Sequence, residues 1–528
     1  MDRYFIKVLL PLKTPWVPWY YASEPLSVGT FVKVMLSGRK YTGVVCQSGE
    51  PQGVDYSKIR SILSVERLYP PVTEEELKLW DFISTYYLCD PGEVYKAAYP
   101  ALRVEENRAA QVEKLRERLA RLQDSIKERL AKKENNRRLS DSVTSRLLDK
   151  QVEIQNAIDL LCRQAPAPAA KSPAQKPILL QGSKRMQSYI DAIAAQLKDG
   201  RQVLVLSPEK AFCSKMETEL REVFADKLHC VYADSGTSAR GKASVALRRA
   251  ESVVVIGSRS AIFLPFTNLS LVIIDEEQDP LYKQNEPSPR YHGRDCAIML
   301  ASIHSASVML GSSFPSLESI SNCAKGKYQL RQLEGQEGEF TLIDIGAERG
   351  KNGMIGPLSR KLIAQIKACK GRVLLIRGYE RAEELAQQIQ QLELKAEVLT
   401  LAELKRQDCT DVELIALLSA DAFADQEDFR ADEKAIGLCH QLLGLTPRLT
   451  VQARVPQRWS LDRSHDQLLQ ERKLFGFPPY TRLVHTVDKE TGKVVDKAFL
   501  AQDKSLNTKK KELARKLHQG HYLDVDPA

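Results

Sequence analysis

The chain has 528 residues, a length that indicates three or four domains, each able to bury its own hydrophobic core. Its composition, 43% hydrophobic and 27% charged, is typical of globular proteins and excludes wholesale disorder. The formal net charge of +9 permits a polyanionic partner without identifying one. No stretch approaches the roughly 18 apolar residues of a membrane span, and the amino terminus lacks a signal-peptide pattern, so we expect a cytoplasmic protein.

Residues 1–102 form the first predicted domain, which is rich in β-strands. The segments YFIKVLLPL, GTFVKVML and YTGVVCQ are separated by turn-forming glycine, serine and proline. Aromatic side chains are interleaved with basic ones, as a surface that stacks bases and neutralises phosphates requires. An aromatic core with solvated charges explains the same composition equally well. The residues that a nucleic-acid surface would use are Trp19, Tyr20, Lys33, Arg39 and Lys40.

Residues 103–163 form a predicted basic helical segment that is amphipathic. Its apolar residues recur at steps of three or four, which places them in one helical stripe. The stripe consists of Leu115, Leu119, Leu122, Ile126 and Leu130. The arginines and lysines on the other faces indicate a solvated helix, with nucleic-acid contact as the less favoured alternative. Residues 164–177, QAPAPAAKSPAQKP, cannot pack a core and are predicted to be an extended Pro/Ala linker.

From residue 178 onward, short continuous apolar runs alternate with segments of helical length. The runs are PILLQG, QVLVLS, SVVVIGS, LSLVIID and SVMLGS, followed later by RVLLIRG and VELIALLSA. Strands that are buried on both faces and alternate with helices predict an α/β fold with a parallel, doubly wound sheet. Ligands of such sheets bind beyond the carboxyl ends of the strands. The residues that directly follow each run are therefore the candidates for a site.

Two of these strand ends carry signs of half a nucleotide site. LVII is followed by Asp275 and Glu276, which could hold Mg²⁺, although acids also cap the helix that follows a strand. A glycine-rich phosphate loop is expected after PILLQG. The chain there reads Gly182, Ser183, Lys184, Arg185 and Met186. This string lacks a second glycine and a hydroxyl after the basic residue, so we expect its two cations to be surface residues.

Longer motifs carry a family resemblance. They are GRKYTGVV and STYYLCDPGEVYKAAYP in the first domain, GSRSAIFLPF and LVIIDEEQDPLYKQNEPSPRYHGRDCAIMLAS after the linker, and ADAFADQEDFRADEKA, ERKLFGFPPYTRLV and DVDP further on. In these segments the chain resembles the primosomal replication-restart helicases of the PriA family, which belongs to superfamily 2. The resemblance implies a 3′-end DNA-binding domain at 1–102 and RecA-like helicase lobes at 178–342 (lobe 1) and 343–460 (lobe 2). It also implies a C-terminal domain at 461–528, with this domain and lobe 2 reduced in size, and places the segment 103–163 where the family has a winged helix.

The departures from the family fall in its ATPase motifs. Arg185 stands where the family has its catalytic lysine, Met186 where it has a magnesium-binding hydroxyl, and Gln278 where it has a histidine. GSSFPS, residues 311–316, replaces the third motif, and Leu445 replaces an arginine whose loss costs on the order of 10³ to 10⁵ in rate. The vestigial catalytic residues are Asp275, Glu276, Glu277, Gln278 and Arg448. The vestigial nucleotide-binding residues are Gly182, Ser183, Lys184 and Arg185.

These departures predict weak or no ATP binding and no useful hydrolysis. Asp275 and Glu276 would instead cap the following helix. The family uses ATP, Mg²⁺ and structural Zn²⁺, but the 10 cysteines here are scattered singly without a CxxC pair, and the family's zinc insertion is absent. We therefore expect no cofactor. Only about a hundred residues remain for lobe 2, which leaves open a damaged lobe with an incomplete sheet.

The DNA-binding parts are expected to remain. The family's 3′-end pocket falls near Trp19, Tyr20 and Gly29, although its aspartate is missing. In lobe 1, the segment YKQNEPSPRYHGRD resembles the family's aromatic-rich loop, which offers stacking faces and phosphate donors together. A loop that only caps a helix is the alternative. The residues expected to contact DNA in this lobe are Arg259, Tyr282, Lys283, Arg290, Tyr291 and Arg294.

The resulting hypothesis is a DNA-binding and scaffolding protein of replication restart that works without ATP turnover. Two alternatives stay open: an active ATP-dependent 3′-to-5′ DNA helicase with an unusual phosphate loop, and a protein-interaction module whose basic helix binds an acidic partner. Expected partners are forked or single-stranded DNA and, through the resemblance, single-strand binding protein, the replicative helicase or primosome components, with no membrane. The expected location is cytoplasmic and nucleoid-associated.

Overall fold

The computed structural model describes residues 3–99, 103–135, 141–162, 175–208, 210–232, 236–333, 338–424 and 428–527. Within these ranges the chain forms a mixed sheet, then two larger parallel sheets, and finally a small antiparallel sheet. Among the helices that lie in the described ranges, none is both long and apolar enough to cross a membrane.

The first sheet belongs to the N-terminal domain. Its strands are β1 (Tyr4–Leu9), β2 (Trp19–Ala22), β3 (Phe31–Leu36), β4 (Arg39–Ser48), β5 (Arg60–Ser61) and β6 (Ser64–Val65). They are ordered β5-β2-β1-β4-β3-β6, and neighbours are antiparallel except β2 and β5. Ser37 and Gly38 join β3 to β4 with positive φ angles of 49° and 77°, which suit a two-residue hairpin turn. The turn leaves Arg39 and Lys40 exposed at the end of the hairpin.

Two helices, α1 (Glu74–Tyr87) and α2 (Pro91–Ala98), pack against this sheet. Thr73 begins α1 with a capping box, in which its hydroxyl accepts the N–H of Glu76 and the Glu76 carboxylate accepts the N–H of Thr73. The chain passes very close to Gly29 just before α1, where an added Cβ would lie 2.0 Å from the carbonyl oxygen of Val72. A glycine is therefore required at this position.

Helices α3 (Arg103–Asn135) and α4 (Asp141–Cys162) pack against each other as a hairpin. The apolar residues at this contact are Val112, Leu115, Leu119, Leu122, Ile154 and Ile158. Most of the predicted apolar stripe therefore faces α4 or the body of the protein, whereas Leu130 is 46% exposed. Residues 163–174, which make up most of the predicted linker, lie outside the described residues.

Lobe 1 is built on a seven-stranded sheet in which every neighbouring pair is parallel. The strands are β7 (Ile178–Gln181), β8 (Gln202–Leu206), β9 (Leu228–Val231), β10 (Val254–Gly257), β11 (Leu269–Asp275), β12 (Ser307–Ser312) and β13 (Gln329–Gln332), in the order β13-β7-β12-β11-β8-β10-β9. The helices are α5 (Met186–Lys198), α6 (Lys210–Phe224), α7 (Thr237–Arg248), α8 (Gly293–His304) and α9 (Leu317–Ala324). Alternate residues of β8 enter two different apolar clusters, so both faces of the sheet are covered. The predicted parallel α/β fold is confirmed.

Lobe 2 contains a second all-parallel sheet, of five strands, ordered β14-β20-β19-β17-β18. Its strands are β14 (Glu339–Asp344), β17 (Arg372–Ile376), β18 (Glu397–Leu399), β19 (Val412–Leu417) and β20 (Arg448–Ala453), besides the short pair β15 (Met354–Ile355) and β16 (Leu358–Ser359). The helices are α10 (Ile345–Gly350), α11 (Arg360–Ala368), α12 (Ala382–Gln391), α13 (Leu401–Leu404) and α14 (Ala431–Leu443). The sheet is continuous and has an apolar cluster on each face, in contrast to the incomplete sheet that the sequence left open.

The C-terminal domain is a three-stranded antiparallel sheet with two helices. It comprises α15 (His465–Phe475), β21 (Thr481–Asp488), β22 (Val494–Ala501), α16 (Leu506–Arg515) and β23 (His521–Val525), with the strand order β22-β21-β23. It contacts the N-terminal domain at α1. The Tyr86 hydroxyl donates to Asp526 at 2.8 Å, and Nζ of Lys510 donates to the carbonyl oxygen of Tyr86 at 2.7 Å. The two ends of the chain therefore meet beside lobe 1.

Candidate functional site

The strand ends that the sequence singles out meet at one edge of the lobe 1 sheet. Since β12 lies between β7 and β11, Gly182, Asp275 and Ser312 are neighbours at the carboxyl ends of these strands. The N–H of Gly182 donates to the carbonyl oxygen of Ser312 at 3.0 Å. The topology thus brings the two halves of the predicted nucleotide site together.

The guanidinium of Arg185 lies against the two acids of this site. Its Nε donates to Oδ1 of Asp275 at 2.9 Å, and its Nη2 donates to Oε1 of Glu276. Its Nη1 donates to the carbonyl oxygen of Gly182 at 2.5 Å and to the hydroxyl of Ser313 at 3.2 Å. Only 8% of the Arg185 side chain is exposed. An internal cation therefore takes up the carboxylate oxygens that Mg²⁺ would need.

The space around Arg185 is closed by Tyr189, one turn later on α5. The Tyr189 hydroxyl donates to Oδ1 of Asp275 at 2.7 Å. An added Cβ at Gly311 would lie 1.7 Å from that hydroxyl and 2.9 Å from Cδ of Arg185, so only glycine fits there. Burial disfavours the charged guanidinium, but the carboxylates of Asp275 and Glu276 outweigh burial and raise the pKa of Arg185 above its ordinary value. Arg185 therefore stays cationic.

These residues do not fit ATP and Mg²⁺. The N–H of Gly182 donates to the carbonyl oxygen of Ser312 on the neighbouring strand, and the N–H of Arg185 donates to that of Ser183 within the turn, instead of pointing at a phosphate. The sequence predicted that both cations of this turn are surface residues. Lys184 is exposed as predicted, whereas the prediction is wrong for Arg185, which is buried. Its burial follows from the acid pair, whose charge needs a cation once the phosphate loop is gone.

Glu277 is fully buried and holds the start of α9. Its carboxylate accepts the N–H and the hydroxyl of Ser316 at 2.7 and 3.0 Å, and an N–H of Arg294 at 2.8 Å. This is a helix cap supplied from a neighbouring strand end. The prediction that Asp275 and Glu276 cap the following helix is wrong, since the guanidinium described above occupies both carboxylates.

Gln278 connects the acids to the cleft between the lobes. Its Nε2 donates to Oε2 of Glu276 at 2.7 Å. Burial raises the pKa of Glu276, while Arg185 and the Gln278 amide oppose this rise. Gln278 also lines a cavity of about 410 Å³ between the lobes, together with Arg430 and Glu433 of lobe 2.

Phe314, in the segment that replaces the third motif, joins lobe 1 to the rest of the chain. Its ring stacks on His440 of α14, with ring centroids 5.1 Å apart, and on His465 of α15, with centroids 4.0 Å apart. Nearby, the N–H of Leu317 donates to Glu433 at 3.0 Å. A stacked aromatic contact therefore spans the cleft at the segment that replaces the third motif.

Arg448 lies outside this site. It begins β20, and its side chain pairs with Glu339 and Glu413, each at 3.2 Å. These residues stand near the amino ends of the lobe 2 strands, at the edge of the sheet opposite to the carboxyl ends. The prediction that Arg448 is a vestigial catalytic residue is wrong, because its side chain is directed to the other end of the sheet.

The loop of residues 280–292 directs its aromatic side chains inward. Tyr282 is fully buried, and its hydroxyl donates to the carbonyl oxygens of Leu206 and Asp275 at 3.1 and 2.6 Å. Tyr291 is 1% exposed and packs edge-on against Phe263. The prediction that these two tyrosines offer stacking faces to DNA is wrong, because both rings belong to the core of lobe 1.

The cations of the same region are also engaged within the protein. Lys283 is 2% exposed and bonds to the C-terminal strand, Arg294 bonds to Glu277, and Arg290 lies over the Tyr522 ring. The Arg259 side chain donates to Gln284 and to the carbonyl oxygen of Leu281, at 3.0 and 2.7 Å. Contact of Arg259, Arg290 and Arg294 with DNA stays a prediction. In this structure Lys283 offers no surface to a strand.

In the N-terminal domain the predicted residues divide into two groups. Tyr20 is 3% exposed and its hydroxyl donates to the carbonyl oxygen of Met35, so it is a core residue and its predicted role in stacking is wrong. Trp19 is partly exposed beside Lys7, and Lys33 pairs with Glu66 at 3.2 Å. The exposed hairpin end offers the remaining two cations, Arg39 and Lys40.

Sequence reasoning missed several residues that shape the site. Tyr189 closes it from α5, and its position four residues after Arg185 could have indicated that both lie on one helix face. His440 and His465 carry no sequence signal for their stacking on Phe314, because the three come from separate parts of the chain.

Family models match two parts of the chain. Residues 7–100 match the 3′ DNA-binding domain (3′BD) of PriA, and residues 185–314 match the DEAD/DEAH box helicase. These matches, with the two parallel lobes described above, define a helicase-fold protein of superfamily 2 that carries an N-terminal 3′ DNA-binding domain.

Relatives identify the family. Replication restart protein PriA of Rickettsia conorii is 31% identical over 391 residues, which cover 71% of this chain and 54% of the relative. The PriA proteins of Chlamydia pneumoniae and Haemophilus influenzae are 28% and 37% identical, over 62% and 37% of this chain and 51% and 27% of their own lengths. The chain belongs to the PriA family, and it spans about half or less of the length of these relatives.

Solved structures give more distant likenesses. The structure of RecG bound to a three-way DNA junction is similar with a TM-score of 0.36 and 15% identity, covering 58% of this chain and 42% of that one. A DEAD box protein from Methanococcus jannaschii has a TM-score of 0.31 and 14% identity, covering 57% of this chain and 87% of that one.

Proposed function

We propose that this chain is a DNA-binding protein of replication restart that acts at stalled forks without ATP turnover. The match to a 3′ DNA-binding domain supports binding of forked or single-stranded DNA, and the family supports a part in restart.

One observation carries the proposed loss of turnover: the Arg185 guanidinium bonds to both Asp275 and Glu276. Phosphoryl transfer relies on positioned cations and a metal held by these acids. A nucleotide would have to displace a buried guanidinium that makes four hydrogen bonds. The two carboxylates would then be available to a metal, but the chain would still lack the loop that positions the phosphates. Residual nucleotide binding under these conditions would not lead to catalysis.

The DNA-binding surface that we propose lies on the N-terminal domain. Trp16 is 51% exposed, and Trp19, Arg39 and Lys40 are at least partly exposed on the same sheet or its connections. Indole rings stack on bases, and the cations neutralise phosphates, which together suit a single strand. The proposed protein partners are single-strand binding protein, the replicative helicase or primosome components.

The test measures binding and turnover side by side on the full chain. Fluorescence anisotropy with forked DNA should show binding that weakens with salt. Phosphate release in the presence of ATP, Mg²⁺ and fork DNA should equal that of the Asp275→Asn variant, which serves as the control for contaminating ATPase. Turnover that the variant abolishes would establish the active helicase instead, and absence of fork binding would reject the DNA-binding proposal.

A further inference from the structure

The C-terminal strand β23 covers the inner side of loop 280–292. Nζ of Lys283 lies 2.7 Å from the carboxylate of Asp524 and donates to the carbonyl oxygen of Val525 at 2.6 Å. The Arg290 guanidinium lies 3.6 Å from the centre of the Tyr522 ring. Lys283 also donates to the carbonyl oxygen of Arg290 at 2.7 Å, and Arg290 also pairs with Glu286 inside the loop, so the end of the chain supplies part of the partners of both cations.

The placement of these groups follows from the geometry of an edge strand. β23 pairs with β21 along one edge only, so its other edge is available to the loop. Tyr522 and Asp524 are two residues apart and therefore project from the same face of the strand. Their side chains present an aromatic ring and an anion in succession. A single strand of nucleic acid presents the same two groups, a base and a phosphate, to the proteins that bind it.

Stability alone gives little reason for cations at these positions. Replacing a buried ion pair by apolar residues of similar volume is often neutral or stabilising, so the burial of Lys283 with no exposed side-chain surface needs another explanation. The loop is also in reach of solvent at its tip, where residues 285–287 are exposed. A loop with an accessible tip and two cations held by a carboxylate and a ring is suited to exchange one anionic, aromatic partner for another.

We propose that β23 is an intramolecular substitute for a nucleic acid strand, and that single-stranded DNA competes with Asp524 and Tyr522 for Lys283 and Arg290. While β23 occupies Lys283 and Arg290, the loop stays in a closed state, in which these cations are not accessible. The loop leaves this state when DNA binds elsewhere on the protein. This inference rests on the proposed DNA binding and adds a means of controlling it. In the closed state the phosphate-binding cations of the loop are masked, and affinity comes from the N-terminal domain alone.

The contact with α2 shows how binding at the N-terminal domain would reach the loop. The Ser288 hydroxyl donates to the carboxylate of Glu93 at 3.0 Å, and Glu93 also pairs with Lys13 at 3.7 Å. The loop is therefore held between the N-terminal domain and β23. A strand bound on the N-terminal domain that extends towards α2 would meet the loop next.

The experiment compares the full chain with Asp524→Asn, Tyr522→Ala and the double variant. Binding of a fluorescent deoxythymidine oligonucleotide is followed by anisotropy over a range of salt concentrations. Releasing both cations should tighten binding by about tenfold at low salt and steepen the salt dependence by about 1.4, since each single-strand phosphate contact contributes about 0.7. Asp526→Asn is the matched control, because it removes a carboxylate beside β23 that bonds to Tyr86 and Arg482 and not to the loop.

A second readout follows Lys283 directly, by mass spectrometry after treatment with an amine-reactive reagent. Lys283 should resist labelling in the natural chain, become labelled in Asp524→Asn, and be protected again by the oligonucleotide. Asp524→Asn keeps the size of the side chain, so it carries the test if the double variant does not fold. Unchanged affinity with unchanged labelling would overturn the inference. A different outcome is that the natural chain binds no DNA but Lys283 becomes reactive in the variant. This result would overturn the proposed function and still establish that Asp524 masks Lys283.

Discussion

At the scale of single residues, the main feature is a guanidinium that takes the place of a metal ion. Asp275 and Glu276 would repel each other in a buried site, and Arg185 neutralises both through hydrogen bonds of defined geometry. The acids are thus retained as partners of the arginine. The two acids in the sequence indicate that a cation lies beside them, and the structure identifies this cation as Arg185.

Removing that cation should destabilise lobe 1 and make it responsive to metal. Arg185→Ala leaves two carboxylates buried without their partner, which costs about 3 to 5 kcal/mol and lowers the melting temperature by roughly 10 °C. Mg²⁺ should raise the melting temperature of this variant and not that of the natural chain, because the vacated carboxylates can bind it. Scanning calorimetry measures both effects. Lys184→Ala, at an exposed neighbouring position, is the control and should change little; an equal loss in both variants would contradict the assignment.

His292 should make stability depend on pH. Burial lowers its pKa to about 4, with Asp295 opposing this shift, compared with an ordinary value of 6.5. Because the folded state binds the proton less tightly than the unfolded state, its contribution is constant above about pH 6.5 and becomes unfavourable as the pH falls towards 4. Between pH 7 and 5 the free energy of unfolding should fall by about 2 kcal/mol from this residue.

The measurement is urea unfolding of the natural chain and of His292→Gln at several pH values. The difference between the two curves isolates His292 from the other histidines whose pKa values are lowered by burial, which are His229, His440, His465 and His485. His518→Gln, at an exposed position, should follow the natural chain. Parallel curves for the natural chain and the His292 variant would show that the histidine is already protonated or solvated in the folded state.

At the scale of elements, Phe314 packs across the cleft between the lobes. Its ring is 4% exposed and lies between rings from α14 and α15, beside an apolar cluster that also contains Leu317, Ile436 and Leu468. Helicases that turn over ATP need their lobes to move relative to each other, and a packed aromatic ring across the cleft opposes such movement. The substitution in the third motif is therefore consistent with a chain that no longer cycles.

Phe314→Ala should uncouple the lobes. Loss of a buried phenylalanine costs about 3 to 5 kcal/mol, and here part of that cost falls on the contact between lobes instead of on either core. Calorimetry should show one cooperative transition for lobes 1 and 2 in the natural chain and two separate transitions in the variant. Phe266→Ala is the matched control, since Phe266 is buried inside lobe 1 and should lower one transition without splitting it. Two transitions already present in the natural chain would contradict the coupling.

The elements were predictable from the sequence to the extent that their signals are local. Seven strands of the two lobes coincide with the continuous apolar runs, because a strand buried on both faces has no polar side to show; these are β7, β8, β10, β11, β12, β17 and β19. The remaining strands of the lobes lie outside those runs and were not predicted. The hairpin end with Arg39 follows from its turn residues in the same way. The tyrosines of loop 280–292 were misjudged because a composition of tyrosine and cations is the same whether the partner is DNA or protein. Its true partners, Leu206 and Val525, lie far away along the chain.

The candidate site shows the same limit. The sequence located the acids and the shortened loop, and it placed Arg185 at the position of the family's lysine. It did not predict that the arginine folds back onto the acids, because that depends on Tyr189, Gly311 and the order of three strands. Arg448 was misplaced for a related reason, since a motif position does not reveal which end of a strand the residue occupies.

At the scale of the whole molecule, the domains are arranged so that both ends of the chain contact lobe 1. The N-terminal domain reaches it through Ser288 and Arg248, and the C-terminal strand reaches it through Lys283. If the chain binds DNA as proposed, this arrangement would link DNA contact at one end of the chain to the loop, and binding energy would shift the loop between its two sets of partners.

The net charge of +9 makes DNA binding by the whole chain depend on salt, and the position of the charges decides how steeply. If the β3–β4 hairpin contacts a single strand, Arg39→Ala with Lys40→Ala removes two phosphate contacts and should reduce the slope of log affinity against log salt by about 1.4. Arg381→Ala with Lys395→Ala removes the same charge from exposed positions on lobe 2 and serves as the control. Anisotropy titrations of an oligonucleotide at several salt concentrations give both slopes. Equal reductions in the two variants would mean that the charges act only as a diffuse field, and that the hairpin is not a binding surface.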